Sequence, residues 1–239
     1  MNNKRFQGKM GAKYGLIALA APHYLDCQRK LGETVKKYFS RKAGKKFNVL
    51  EIGCGSGVTS EIFFKSDKRI HLTAVDNEPE MIRQIKKKLE GYVKNQKVRI
   101  FKADALDFVS KCPAEKFDAF VSGLTIHNFK TVYRNKFMKN VYRLLKPKSL
   151  FANMDRYAHD NPKVFAEWTK WQIGMYKKVF SELKQPDLIK RWIDHEKYDA
   201  RPDVIMKLKP AVLDMKKIGF KDIKVVYRKK TYSVLAAIK

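Results

Sequence analysis

The chain has 239 residues, 44% of them hydrophobic, which suits one large domain with a buried core. Its three cysteines, Cys27, Cys54 and Cys112, form no C-x-x-C and have no accompanying histidine pair, so neither a disulfide framework nor a metal centre is expected. No apolar run approaches the roughly 18 to 20 residues of a membrane-spanning helix. Lys and Arg total 52 against 24 Asp and Glu, a net charge of +28. That excess is spread over the whole length and is mostly lysine, 40 against 12 arginines, rather than gathered in one arginine-rich phosphate-binding tract.

Residues 1–13 are polar and basic, and Tyr14 to Phe39 reads as helical, broken near Pro22. Ala18-Leu19-Ala20 mimics a signal-peptidase site, but the apolar run Leu16 to Ala21 that contains it is at the lower length limit for a signal peptide. Phe47 to Ile52 is a short, apolar run stopped by glycine, the pattern of a buried parallel strand. Gly53, Gly55 and Gly57 follow, then Val58 to Phe64 with one apolar helical face. This is a strand-to-helix turn whose backbone can approach a ligand. The spacing is not the dinucleotide G-x-G-x-x-G, because Val58 stands where the third glycine would be.

A second apolar run, Ile70 to Val75, ends in Asp76, where a carboxylate at a strand's carboxyl end can accept hydrogen bonds from both hydroxyls of a ribose. Pro79 to Tyr92 reads as a helix, Val98 to Phe101 as a third strand, and Phe117 to Val121 as a fourth. The fourth strand opens onto a loop from Ser122 to Phe129. Its His127 has a pKa range suited to a general base. After a helix over Tyr133 to Leu145, the strand Ser149 to Met154 leads to Asp155, Arg156 and Tyr157.

Residues 158–209 form an insertion with two helices, one starting at Pro162 and one running from Asp187 through Trp192 and His195. A helix over Ala211 to Ile218, stopped by Gly219, precedes two strands, Phe220 to Tyr227 and Thr231 to Ile238. Ligands of open α/β sheets bind beyond the carboxyl ends of the strands, so the loops after the first, second, fourth and fifth strands should meet at one crevice.

The acidic-x-G-x-G-x-G run led by Glu51, together with A-V-D-N-E-P-E-M-I around Asp76 and Ala103-Asp104-Ala105, resembles the motifs of class I S-adenosylmethionine-dependent methyltransferases. Leu145-Lys146-Pro147-Lys148-Ser149 resembles that family's leucine-x-proline-glycine-glycine turn but lacks both glycines. The resemblance implies an α/β, Rossmann-like, doubly wound seven-stranded sheet with an antiparallel last strand and a helical cap insertion. It divides a single domain into an N-terminal helical lid (1–46), a cofactor-binding core (47–155), the cap (156–210) and a closing helix with β-hairpin (211–239).

S-adenosyl-L-methionine is the implied cofactor, held by Glu51, Gly53, Cys54, Gly55, Gly57, Asp76, Asn77, Met81, Asp104, Ala105 and Ser122. His127 is the expected catalytic base. Tyr24, His127, Arg156, Tyr157, Trp192 and Arg201 are the expected acceptor-binding residues. A looser resemblance, in H-Y-x-x-x-Q from His23 to Gln28 and in L-T-I-H, points to the branch containing carboxy-S-adenosylmethionine synthase, where Arg156 or Arg201 would hold the extra carboxylate.

The expected reaction is methyl transfer to a small molecule under the cap, in the cytoplasm where the cofactor pool lies. RNA methylation, the carboxy-S-adenosylmethionine synthase activity and cofactor binding without catalysis are the alternatives. The sequence leaves the oligomeric state open, a homodimer included.

Overall fold

The computed structural model describes residue 11 and residues 13–239, so most of the basic leader, residues 1–10 and 12, lies outside the described residues. Seven strands build one sheet: β1 Phe47–Ile52, β2 Ile70–Asp76, β3 Val98–Lys102, β4 Phe117–Gly123, β5 Leu145–Arg156, β6 Lys221–Lys229 and β7 Tyr232–Ile238. Their order is β3-β2-β1-β4-β5-β7-β6. The first five run parallel, and β7 is antiparallel to both β5 and β6. The order reverses between β1 and β4, and this is where a doubly wound sheet opens a crevice.

Alternation along the strands sorts the core into two layers. Val49, Leu72, Ala74, Ala119, Val121 and Met154 face one side, where α1 (Tyr24–Phe39) and α2 (Val58–Ser66) pack. Leu50, Ile52, Val75, Phe120 and Phe151 face the other, under α5 (Thr131–Leu144) and α8 (Leu208–Ile218). α3 (Pro79–Lys88) and α4 (Ala105–Lys111) complete the crossovers. The helix expected to reach Tyr92 ends at Lys88, and a separate short turn, Glu90–Lys94, follows beside Gly91.

Strand β5 begins at Leu145, earlier than expected, because the proline turn is drawn into pairing with Phe117 across a register shift. Lys148 there adopts a left-handed φ of 60°, in the first of the two positions where the resembling turn carries glycine. Its carbonyl accepts a 2.8 Å hydrogen bond from the Tyr38 hydroxyl of α1.

The insertion is two antiparallel-packed helices, α6 (Pro162–Glu182) and α7 (Pro186–Asp199). Each has proline in its first turn, and Asn161 caps α6 by accepting from the Lys163 N–H at 2.9 Å. The cap does not rest on the sheet alone. Gln172 of α6 donates to the Ala20 carbonyl at 2.8 Å, and the Trp192 ring of α7 lies 5.9 Å from that of Tyr14, so the cap supports the N-terminal segment from outside.

Candidate active site

The loop between β1 and α2 is shaped by backbone bonds. The N–H groups of Gly53 and Cys54 both reach the Val75 carbonyl, at 2.8 and 3.1 Å, tying the loop to the neighbouring strand. Gly53 has φ 69°, and a Cβ there would lie 2.0 Å from Thr125 Oγ1 of the β4 loop, so no side chain fits. A Cβ on Gly55 would meet nothing within 4 Å, since that side of the loop is open to a cavity.

Asp76 closes the arrangement. Its Oδ2 accepts from the Gly55 N–H at 2.9 Å and its Oδ1 from the Glu78 N–H at 2.9 Å. Burial raises its pKa, and these backbone donors oppose that shift. Each oxygen retains a lone pair for another donor. Asp104 caps α4, accepting from the Leu106 and Asp107 N–H groups, and also takes a 2.6 Å bond from the Tyr133 hydroxyl.

These groups surround a cavity of about 1010 Å³ at the carboxyl ends of β1, β2 and β4. Of the residues expected from the sequence, Gly53, Cys54, Gly55, Asp76, Asn77, Met81, Asp104 and Ala105 line it, as does Tyr24. The N-terminal segment contributes Tyr14 and Gln28 as well. Gln28 Nε2 donates to Thr59 Oγ1 at 2.9 Å and to the Tyr24 hydroxyl at 3.1 Å. Burial raises the pKa of both tyrosines, so their hydroxyls stay protonated donors.

Thr59, Asn128, Phe129 and Tyr133 also line the cavity and were not anticipated. Gln28 had a signal in the H-Y-x-x-x-Q pattern. Tyr133 had none, because its role depends on how α5 crosses the third βα loop.

Three expected cofactor residues stand elsewhere. Glu51 is fully buried beneath the loop, because alternation along β1 sends it to the α2 side, where its Oε2 accepts from the Ser60 hydroxyl at 2.5 Å. Burial pushes its carboxyl up to about 8, the Ser60 hydroxyl opposing that shift. Ser122 is also fully buried, and its Oγ donates to the Ile52 carbonyl at 3.0 Å, joining β4 to β1. Gly57 begins α2 at φ 83°, its open side filled by Ile85, 2.8 Å from where a Cβ would stand.

The expected base and acceptor residues, Tyr24 excepted, do not line this cavity either. The ring Nδ1 of His127 bonds to Asp155 Oδ1, and its Nε2 lies 3.5 Å from Asp199 Oδ2. Arg156 is 9% exposed and ion-paired to Glu196 at 2.5 Å and to Asp199 at 3.0 Å, so its charge is already committed. The Tyr157 hydroxyl accepts from Asn153 Nδ2 at 3.0 Å on the other side of the sheet. Trp192 packs among Tyr14, Tyr176 and His195. Arg201 is exposed and pairs with Asp203.

The chemistry of the donor set fits S-adenosylmethionine. Asp76 would take the ribose hydroxyls, Asp104 and the apolar Met81 and Phe129 the adenine end, and the glycine loop the amino-acid end. Bound there, the cofactor supplies a methyl group activated by a positive sulfonium. The charged side chains lining the cavity are Asp76, Glu78 and Asp104, with no lysine or arginine among the described residues, which suits a cation and not a pyrophosphate.

A methyltransferase-domain family model matches residues 49–148. The carboxy-S-adenosyl-L-methionine synthase of Campylobacter fetus subsp. fetus is 24% identical over 149 residues, 62% of this chain and 59% of that protein. The demethylmenaquinone methyltransferase of Leptospira interrogans is 26% identical over 129 residues, 54% of this chain and 49% of that one. The matched stretch thus spans about half to three fifths of these relatives. In structure, a putative S-adenosyl-L-methionine-dependent methyltransferase from Methanococcus maripaludis superposes with a TM-score of 0.63 at 16% identity, covering 100% of this chain and 96% of that one. Residues 49–148 thus match a methyltransferase domain, and the sheet order around them is that of the S-adenosyl-L-methionine-dependent methyltransferase fold.

Proposed function

We propose that the chain transfers the methyl group of S-adenosylmethionine to a small-molecule acceptor that enters the same cavity beneath the N-terminal segment, with the helical cap holding that segment down. The observation that carries this reading is the cavity lining. In a chain of net charge +28, the cavity wall holds three carboxylates and no basic side chain among the described residues. An RNA substrate needs cationic groups along its backbone near the reacting base. A small, largely apolar or cationic acceptor does not.

The cavity runs from the glycine loop and Asp76 to Gly123, Thr125 and the lid residues Tyr14 and Tyr24, so an acceptor would enter beside the nucleoside. Methyl transfer from a sulfonium is an in-line displacement. The tyrosine and glutamine side chains of the lid serve it by excluding water and fixing the acceptor close to in-line contact. A base is needed only where the acceptor must lose its proton early.

The carboxy-S-adenosylmethionine reading is favoured by the Campylobacter relative. Against it stand both arginines considered for the extra carboxylate, which are already ion-paired. Mass spectrometry of nucleoside released from the purified protein separates the two, because a carboxylated cofactor is heavier by the mass of carbon dioxide.

The test of the main reading is a screen of small acceptors with isotopically labelled cofactor, run beside RNA binding at two salt concentrations. The expected result is a labelled small molecule and RNA binding that is weak and unproductive. Labelled RNA, with affinity falling by roughly 10³ to 10⁵ between 50 and 200 mM salt, would overturn it in favour of RNA methylation. Tight cofactor binding with no labelled product of either kind would favour a binding protein without catalysis.

A further inference from the structure

Beside the cofactor cavity lies a second polar assembly that the methyltransferase reading does not use. Among the described residues, His127 from the loop after β4 and His195 and Asp199 from α7 bring one ligand atom each within 4.8 Å of one another. Asp199 Oδ2 lies 3.5 Å from His127 Nε2 and 3.4 Å from His195 Nε2. Ligands at about 2.0 to 2.1 Å from a tetrahedral zinc ion stand about 3.3 Å apart, so these groups are already near coordinating separation. His195 and Asp199 are one helical turn apart, which puts both on one face of α7.

His127 carries the argument further. It is 4% exposed, and Asp155, a carboxylate that can only accept, takes the hydrogen bond from Nδ1. That bond fixes the ring proton on Nδ1 and leaves Nε2 with a lone pair directed at the cluster, where it has no hydrogen-bond partner. A histidine oriented by a carboxylate through one nitrogen and presenting the other is the usual form of a metal ligand.

The local charge points the same way. Arg156 and Glu196 cancel as a 2.5 Å pair, and Tyr176 donates to the other Glu196 oxygen at 2.8 Å. With Asp155 and Asp199 counted, the cluster's three carboxylates outnumber the two guanidiniums near them, Arg156 and Arg134. Arg156 reaches Asp199 as well, at 3.0 Å. Arg134 lies near Asp155 but donates to the Phe129 and Val204 carbonyls. The cluster thus keeps an excess of negative charge beside two imidazoles, and a divalent ion offsets it without protonating the buried Nε2.

We propose that His127, His195 and Asp199 form a binding site for a divalent first-row transition metal, with Asp155 as the positioning residue. The ion's open position faces the cavity of about 270 Å³ that His127, Arg156, Asp199 and Met206 line, so the site is accessible to water or a small ligand and is not closed by protein on all sides.

The probe is Zn²⁺, with Co²⁺ as its spectroscopic substitute. The full chain is stripped with a chelator, incubated with Zn²⁺, desalted and assayed for metal by mass spectrometry. The wild type is expected to retain about one metal per chain and to melt at a higher temperature with it. Asp199→Asn and His195→Gln should lose the metal, while Asp155→Asn should weaken it by roughly 10- to 100-fold. Calorimetric binding of S-adenosylmethionine reports whether each variant remains folded. A variant that fails to fold is replaced by the wild type's Co²⁺ absorption spectrum, in which imidazole coordination must appear. A wild type that retains no Zn²⁺ and shows no shift in melting overturns the proposal, as do folded variants that retain as much metal as the wild type.

Discussion

The cofactor cavity and the buried histidine cluster sit at the carboxyl end of the same sheet, meeting at the loop after β4, yet they are built differently. In the cavity, short contiguous motifs do the work. Asp76 is held by the backbone N–H groups of Gly55 and Glu78, and the loop is held by backbone bonds to Val75. In the cluster, side chains hold side chains, drawn from the loop after β4, the end of β5 and α7 of the insertion. Backbone-built sites tolerate sequence divergence around them. Side-chain networks are over-determined, and one missing partner leaves a buried charge.

That contrast can be broken at either end. The largest effect is expected from Arg156→Met, which strands Glu196 and Asp199 without their guanidinium and should cost about 3 to 5 kcal/mol in denaturant unfolding, with cofactor affinity changed little. A loss of cofactor binding without a loss of stability would mean that the two regions are one site. Asp76→Ala should do the reverse. Calorimetry should show S-adenosylmethionine affinity reduced by roughly 10² to 10³, from two charge-assisted hydrogen bonds, with a near-native melting curve.

Glu51 sharpens the comparison, since it lies under the cavity but is buried like a cluster residue. Its folded pKa of about 8 stands above the ordinary carboxylate value, so the folded state binds the extra proton between those limits and stability falls as pH rises through them. Glu51→Gln removes that dependence. The wild type should lose stability relative to the variant by up to about 1.4 kcal/mol per pH unit between roughly pH 5 and 8, measured by urea unfolding across that range. A flat difference would show that Glu51 ionises normally. The smallest effect belongs to Lys148→Gly in the proline turn. Relief of a left-handed lysine, set against glycine's greater unfolded-state freedom, should raise stability by at most about 1 kcal/mol with no change in cofactor binding.

The strands, their order of appearance, the glycine loop and Asp76 were legible in the sequence because each depends on local rules: an apolar run of strand length, a turn that excludes Cβ, a carboxylate at a strand end. Legibility failed by one step at Glu51 and Ser122, which lie next to the loop in sequence but point away from the cavity. Strand alternation, which the motif alone does not display, sends them into the layers of the sheet.

It failed more widely at the acceptor side. His127 was visible as a titratable group in the loop after β4, but its partners Asp155, His195 and Asp199 are distant in the chain, and Arg156 and Trp192 pack into the cluster and against Tyr14 of the N-terminal segment. The strands, the glycine loop and the carboxylate that ends β2 were readable in the chain alone, since these follow from backbone geometry over a few residues. Only the tertiary structure decided which side chains face the cavity, that the cap presses on the N-terminal segment, and that two histidines and an aspartate meet, because those outcomes depend on how distant helices pack across the ends of the strands.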